Sequence, residues 1–160
     1  MSSLDFHDRR VFWHQDLSIA VKQRHELDGY QVWTKKAGVQ CVQPPRNVMN
    51  QVLALRLHLD DCRAENGALK VLPGTHRDVP LGTAEIEQLA GTSCEVVCEV
   101  PAAGAVLMNP LLFHASSPMS RPGHRRVIHL EFTAMELPPP LEWRYRVACG
   151  IPHDSINATF

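Results

Sequence analysis

The sequence lacks any long apolar run, and no stretch approaches the roughly 18 residues that a membrane-spanning helix needs. Its first residues, MSSLDFHDRR, lack the apolar segment of a secretory signal peptide. A strong charge of either sign is missing too, because 16 Lys and Arg residues stand against 17 Asp and Glu residues. A surface for nucleic acid or anionic lipid would need a basic excess. We therefore expect a cytoplasmic protein that binds neither nucleic acid nor membranes.

Paired cysteines are absent as well. The five cysteines are an odd number, and no two of them have the spacing of a CxxC zinc or redox motif. A disulfide framework is uncommon in a chain without a secretory signal. We therefore expect buried or incidental thiols at all five positions, which are Cys41, Cys62, Cys94, Cys98 and Cys149.

Short strands separated by turns account for most of the sequence. Twelve prolines interrupt stretches in which apolar and polar residues alternate, as they do in half-buried strands. The strongest strand patterns lie at 11–14, 52–59, 68–72, 94–100, 105–109 and 125–132. So many short strands with little helix favour a β-sandwich or jelly roll.

Other segments have weaker signals. The sequence predicts one short helix at 83–89, with Thr83 as its N-cap and Gly91 after its end. Asn66-Gly67 indicates a hairpin between the strands that flank it. Residues 17–51 are expected to form a long irregular excursion, partly helical near its end. We expect one domain over residues 1–160, with a core at 11–142 and a loose C-terminal tail at 143–160.

A possible metal site begins at His14-Gln15-Asp16 and includes His114, much later in the chain. Two imidazoles and one carboxylate on one face of an iron ion leave three coordination positions open, which is the facial triad of non-haem Fe(II) oxygenases. An isolated HxD tripeptide arises often by chance, and a lone strand histidine is more often an ordinary core or surface residue. The surrounding sequence has to decide between these interpretations.

Three segments, in the right order, resemble the phytanoyl-CoA dioxygenase (PhyH)-like family of Fe(II)/2-oxoglutarate oxygenases. They are WHQD at 13–16, LRLHLDDCRAENGALKVLPGTHR at 55–77 and GAVLMNPLLFHASSPMSRPGHRRVIHLEF at 104–132. The resemblance implies a double-stranded β-helix (jelly roll, cupin-like) with a few short helices. It also implies bound Fe(II), with 2-oxoglutarate and O2 as cosubstrates, and oxidative decarboxylation of 2-oxoglutarate to succinate and CO2. It assigns His14, Asp16 and His114 as the catalytic metal ligands.

The family also has an arginine after the distal histidine that binds the far carboxylate of 2-oxoglutarate. At the matching distance stands Arg125, with Arg126 as its rival. Residues 126, 128, 130 and 132 include three apolar side chains, so apolar patterning alone would turn Arg126 inward. In this family helices pack outside the sheet, so the apolar face can be the outer one, and we expect Arg125 to bind the cosubstrate.

Several other polar residues have an ordinary explanation beside a functional one. Arg56 and His58 share the polar face of their strand, where they either line the cavity or are plain polar-face residues. Basic residues at 22, 24, 35 and 36 either meet an anionic substrate or only solubilise the surface. Pro73-Gly74-Thr75-His76 resembles a family turn whose role is structural.

The resemblance implies that this enzyme hydroxylates a small-molecule substrate. Halogenation is not expected, because halogenating relatives have a small residue where Asp16 stands. One departure from the family favours an alternative: only 13 residues precede His14, so the N-terminal part is expected to be truncated. The alternative is a non-catalytic or fragmentary jelly-roll domain that binds metal without turnover, and a zinc-dependent cupin-type hydrolase or isomerase is a third possibility. The unpaired edge of the first strand also suggests a homodimer.

Overall fold

The computed structural model describes residues 10–77, 81–121 and 123–147. Their contacts divide the chain into two compact units: Met1–Leu17 with Pro44–Met135, and Ser18–Gln43 with Glu136–Phe160. That these units make one domain over residues 1–160 stays a prediction.

The described residues form ten strands and two α-helices. The strands are β1 (Val11–His14), β2 (Ile19–Val21), β3 (Gln31–Lys36), β4 (Val39–Gln43), β5 (Leu53–His58), β6 (Leu69–Val71), β7 (Val96–Cys98), β8 (Ala105–Met108), β9 (His114–Ser116) and β10 (Val127–Phe132). The helices are α1 (Arg46–Met49) and α2 (Thr83–Thr92). In the described part of the chain, neither helix is long and apolar enough to cross a membrane.

Two antiparallel sheets build the first unit. One has the strand order β1-β9-β6-β7 and the other β10-β5-β8. A buried cluster joins them, since Ala54 and Met108 from one sheet pack with Leu69 and Val71 from the other. Removing these apolar side chains from water is the main force that holds the sheets together. The predicted mainly-β jelly roll is therefore confirmed.

The second sheet of this unit has an unusual distribution of polarity. The alternation along β5 places Ala54, Arg56 and His58 on the inner face, with Ala54 and His58 buried. The outer face is apolar and exposed, and it contains Leu53, Leu59, Leu107, Ile128, Leu130 and Phe132. Apolar residues therefore do not mark the inner face of this sheet.

The second unit contains a three-stranded antiparallel sheet in the order β2-β4-β3. The expectation of an irregular excursion over residues 17–51 is therefore wrong, although the helical part expected near its end is present as α1. Ala37 and Gly38 form the two-residue loop between β3 and β4, with φ of 47° and 83°. Positive φ at both loop residues matches the twist of the flanking strands, but Ala-Gly is a weaker sequence signal for it than Asn-Gly. At the other end, Arg144 N donates to Ala20 O at 3.0 Å, while residues 148–160 of the expected tail lie outside the described part.

Local signals around the first unit were partly misleading. The predicted hairpin at Asn66-Gly67 is wrong, because β5 pairs with β8 and β10, whereas β6 pairs with β7 and β9. Gly67, at φ 78°, instead ends a 3₁₀ turn at Ala64–Asn66. The helix α2 has Gly82, not Thr83, as its N-cap and runs past Gly91 to Thr92.

Four of the five cysteines are free thiols, and Cys149 lies outside the described residues. The four free thiols are Cys41, Cys62, Cys94 and Cys98.

An exposed ion pair between Arg126 and Asp60 lies at the end of the β5–β10 ladder. Arg126 donates to both carboxylate oxygens of Asp60, with Nη2–Oδ1 at 2.7 Å and Nε–Oδ2 at 3.0 Å. These bonds hold the pKa of Asp60 well below its usual range.

The lowered pKa of Asp60 makes the stability of the fold depend on pH. A carboxyl group with a lowered pKa stabilises the fold above its unfolded-state pKa, and this stabilisation is lost as pH falls. Asp60→Asn should therefore lower Tm most at pH 7, with the difference from wild type shrinking below about pH 4. Equal differences at pH 7 and pH 3 in thermal melts would contradict this.

Candidate metal centre

The pairing of β1 with β9 brings together two histidines that are distant in sequence. His14, the last residue of β1, lies directly opposite His114, the first residue of β9. Their ring centroids are 4.2 Å apart, with an angle of 54° between the ring planes. The structure thus places both predicted histidines at one end of the sheet, side by side.

Asp16 follows the end of β1 and is fixed by backbone contacts. Its N–H donates to Pro110 O at 2.9 Å, and the neighbouring Gln15 Nε2 donates to Leu111 O at 2.5 Å. These bonds turn its carboxylate toward the histidines. Oδ1 lies 3.8 Å from His14 Nε2, and Oδ2 lies 3.4 Å from His114 Nε2.

The backbone selects the tautomer of both rings. His14 Nδ1 lies 2.8 Å from Phe12 O, and His114 Nδ1 lies 2.8 Å from Leu112 O. A carbonyl oxygen only accepts hydrogen bonds, so each Nδ1 must carry the proton and donate it. In the neutral ring the lone pair is then on Nε2, the atom that faces Asp16, and this arrangement is typical of metal-binding histidines.

The charges of the cluster suit a cation. Burial, followed by the nearby His114 ring, lowers the pKa of His14 and so favours the neutral ring. Burial raises the pKa of Asp16, but the adjacent His114 and His14 rings outweigh it and lower the value overall. The Asp16 carboxylate is thus ionised at neutral pH. Its Oδ2 is buried and has no hydrogen-bond partner among the described residues, which is costly unless a ligand binds there.

A metal ion fits this donor set. One ligand atom from each of His14, Asp16 and His114 lies within 4.8 Å of the others. Ligand atoms that bind one metal at about 2.1 Å stand roughly 3 Å apart, so a small inward movement closes the site. The side chain of His114 is 4% exposed and that of His14 is 40% exposed, which leaves one side of the cluster open. A second group, formed by Asp16 with His129 and Glu131, meets the same distance limit.

A buried threonine positions His114, and sequence reasoning gave it only a general structural role. Thr75, in the Pro-Gly-Thr-His turn, accepts a hydrogen bond from Phe113 N at its Oγ1 at 3.1 Å. The same hydroxyl donates to Leu72 O at 2.7 Å, and Leu72 N donates to Phe113 O at 3.0 Å. The residue before His114 is therefore held at both its N–H and its carbonyl.

The two rival arginines lie in different environments. Arg125 is partly buried on the inner side, where its Nη1 donates to Gly67 O. A Cβ at Gly67 would overlap the Arg125 guanidinium, so only glycine leaves room for it. Arg126 is exposed and pairs with Asp60. Arg125, which was chosen for its distance from His114 in the sequence, thus lies on the inner side, and its role in binding the cosubstrate stays a prediction.

Arg56 and His58 also face the inner side, and Arg56 lies near His14 and Asp16. His58 is 1% exposed, and neither of its ring nitrogens has a hydrogen-bond partner among the described residues. The Nε atom of Arg56 is likewise buried and has no partner in that part of the chain. On β10, His129 lies directly opposite Arg56. Strand alternation places His129 and Arg125 on one face, but this did not identify His129 as a neighbour of Asp16.

The basic residues of the predicted excursion belong to the second unit. Lys22, Arg24 and Lys35 line a cavity of about 230 Å³ together with Arg144. Within the same unit, Lys22 pairs with Glu142 at 2.5 Å and Arg24 pairs with Glu26 at 2.5 Å. Two of the four positive charges are therefore already compensated.

Comparison with known families agrees with this geometry. The family model described as phytanoyl-CoA dioxygenase (PhyH) matches residues 5–127, which is most of the chain. The chain belongs to the PhyH family. No curated protein is significantly similar to this PhyH-family chain in sequence.

Solved structures resemble the PhyH-family chain over part of their length. AviO1 from Streptomyces viridochromogenes Tue57 is 25% identical, over 84% of this chain and 48% of that chain, with a TM-score of 0.54. EctD from S. alaskensis, in its apoform, is 25% identical over 53% and 32%, with a TM-score of 0.47. HygX from Streptomyces hygroscopicus, with nickel and 2-oxoglutarate bound, is 17% identical over 79% and 51%, with a TM-score of 0.48. The PhyH-family chain spans about half the length of AviO1 and of HygX.

The role of Thr75 in this PhyH-family chain can be tested by measuring the free energy of unfolding of Thr75 variants. Thr75→Val removes a buried hydroxyl and leaves Phe113 N without a partner, so we expect a loss of about 1–3 kcal/mol in the free energy of unfolding. Thr75→Ser, which keeps the hydroxyl, should restore most of it. The matched control is Thr92→Val, because the exposed Thr92 hydroxyl bonds only to carbonyls of its own helix. Urea unfolding measures all three, and equal losses in Thr75→Val and Thr92→Val would contradict the assignment.

Proposed function

We propose that this chain is a dioxygenase that uses Fe(II), 2-oxoglutarate and O2 to hydroxylate a small-molecule substrate. 2-Oxoglutarate is decarboxylated to succinate and CO2 in the same reaction. The observation that carries the proposal is the convergence of His14 Nε2, His114 Nε2 and the Asp16 carboxylate, with both Nδ1 atoms bonded to backbone carbonyls. Membership of the PhyH family supports it.

In this proposal His14, Asp16 and His114 hold the iron, which activates O2 when it is bound. Asp16 supplies the negative charge among the ligands, and the two backbone carbonyls keep the imidazoles oriented with Nε2 inward. Arg125 binds the far carboxylate of 2-oxoglutarate, because a guanidinium presents two parallel donors to a carboxylate. The iron and O2 perform the oxidation, while the chain supplies ligand geometry and orients the substrate.

Hydroxylation rather than halogenation follows from the same ligand set. A halide ion needs a coordination position that the carboxylate of Asp16 takes in this proposal. Chloride should then have no place at the metal, and a chlorinated product would overturn this part of the proposal.

A metal-binding jelly roll without turnover is the second candidate. The observation that favours it is the exposure of His129 and Glu131 on the inner face of β10, beside Asp16. Oxygenase chemistry needs a site that excludes water, and an open inner face exposes the centre to it. Under this candidate, metal and 2-oxoglutarate bind but succinate does not form.

A homodimer and a cytoplasmic location stay predictions. The strand β1 lies at one edge of its sheet, and its Phe12 side chain is 72% exposed. Light scattering coupled to size exclusion should report twice the monomer mass of 17.9 kDa if the edge pairs with a second copy.

Metal titration with a cosubstrate assay tests the proposal. Wild type should bind one Fe(II) under anaerobic conditions and release succinate from 2-oxoglutarate in air. Asp16→Ala should lose both properties, because the centre loses its carboxylate. The matched control is His25→Ala, since His25 lies outside the cluster and contacts Gln23. Wild-type protein that binds no Fe(II), or Asp16→Ala protein that binds it as tightly, would refute the centre. Binding without succinate would select the second candidate.

The assignment of Arg125 predicts a difference between two arginine variants. Arg125→Lys keeps the charge but not the paired donors, so 2-oxoglutarate should bind several-fold more weakly. Arg126→Gln should leave the affinity unchanged, because Arg126 pairs with Asp60 at the surface. Isothermal titration calorimetry of 2-oxoglutarate into Mn(II)-loaded protein measures both. The reverse pattern would show that Arg126 binds the cosubstrate.

A further inference from the structure

Two basic side chains on the inner face of β5 have buried nitrogen atoms that lack a hydrogen-bond partner among the described residues. These atoms are both ring nitrogens of His58 and the Nε atom of Arg56. A buried polar group without a partner is unfavourable, so such groups are rare unless a ligand or ordered water completes them. Arg56 and His58 lie two residues apart on β5 and so point to the same face. Two such side chains side by side indicate a place where a ligand with acceptor atoms binds.

The neighbours of these residues show where that ligand lies. The ladder between β5 and β10 pairs Arg56 with His129 and His58 with Val127, and Leu59 N continues it by donating to Arg126 O at 2.9 Å. Arg125 lies two residues before Val127, so strand alternation puts it on the same inner face. Arg56 and His58 thus belong to the face that also carries Arg125.

The charges around Arg56 give the same placement. Burial lowers the pKa of the Arg56 guanidinium; the Asp16 carboxylate opposes this shift and the Arg125 guanidinium adds to it. Arg56 is therefore near both the metal ligand and the proposed cosubstrate arginine. Burial, and then Arg56 and Arg125, lower the pKa of His58, so its ring is neutral near pH 7 and offers one N–H.

We propose that Arg56 and His58 line the 2-oxoglutarate pocket and bind the far carboxylate of that molecule together with Arg125. This inference rests on the proposed function and extends it by two residues. One terminal nitrogen of Arg125 is already engaged with Gly67 O. A carboxylate has about four acceptor positions, and one guanidinium with a committed nitrogen leaves some of them unfilled. Arg56 supplies a second guanidinium, and His58 supplies a neutral donor.

A competing explanation is that Arg56 only positions Asp16. The two roles differ in what Arg56 recognises. A residue that binds the far carboxylate affects 2-oxoglutarate but not 2-oxobutyrate, which has the same 2-oxo acid end and no second carboxylate. A residue that acts through Asp16 changes Mn(II) affinity and the binding of both oxo acids.

The experiment is calorimetric titration of the purified protein, first with Mn(II) and then with each oxo acid. Arg56→Met should weaken 2-oxoglutarate roughly tenfold or more, as expected for a lost charged hydrogen bond, while Mn(II) and 2-oxobutyrate affinities stay within about twofold of wild type. The 2-oxoglutarate affinity of Arg56→Lys should lie between those of wild type and Arg56→Met. Arg56→Lys also replaces Arg56→Met in the test if the latter does not fold. His58→Leu should give a smaller loss, selective for 2-oxoglutarate. Arg126→Gln is the matched control and should change none of the three affinities.

Two outcomes would overturn the inference. One is 2-oxoglutarate affinity that stays within twofold of wild type in both Arg56 variants. The other is a parallel loss of 2-oxobutyrate or Mn(II) affinity, which would assign Arg56 to positioning. Failure of the proposed function has a different signature, because wild type itself would then bind no Mn(II) or no 2-oxoglutarate.

Discussion

The antiparallel pairing of β1 with β9 is the interaction on which the candidate site depends. It places His14 directly opposite His114. The carbonyl oxygens of Pro110 and Leu111, in the turn before β9, accept hydrogen bonds from Asp16 and Gln15 and hold them beside the histidines. No local segment contains both histidines, so the donor set exists only when this ladder forms. Pairing between strands so far apart in sequence is slow to form, because loop closure precedes the contacts that reward it. The hydrogen bonds of Thr75 to Phe113 and Leu72 secure the β9 side of the pair.

A cluster of incompletely bonded polar groups accompanies this pairing. Within the part of the chain that the structure describes, the buried atoms Asp16 Oδ2, Arg56 Nε and both ring nitrogens of His58 have no hydrogen-bond partner. Such groups lower the free energy of unfolding of the ligand-free chain, and native structures keep them mainly where function requires them. A cation at Asp16 and an anion near Arg56 would each provide a partner for some of these groups. Binding of either ligand should therefore stabilise the fold as well as complete the site.

The β10-β5-β8 sheet inverts the usual relation between hydropathy and burial. Its outer face carries Leu107, Ile128 and Phe132, all exposed, whereas its inner face carries Arg56 and His58. Apolar patterning alone would have placed the apolar face of this sheet toward the inside, and Arg126 belongs to that face. The family resemblance corrected the parity, and the exposed Arg126–Asp60 pair agrees with that correction. Gly67 contributes too, since a side chain there would displace Arg125.

The sequence by itself determined the alternation of the strands, the mainly-β class, the HxD motif and the PhyH family, because these are local or order-dependent properties. It did not determine which strands pair. The Asn66-Gly67 signal suggested a hairpin, yet β5 and β6 belong to different sheets, since sheet partners are chosen by packing of distant segments. Residues 17–51 concealed three strands because their Ala37-Gly38 turn has a weak signature. Only the tertiary structure brought His129 beside Asp16 and left His58 buried with no partner among the described residues, because burial and neighbours across strands depend on the whole fold.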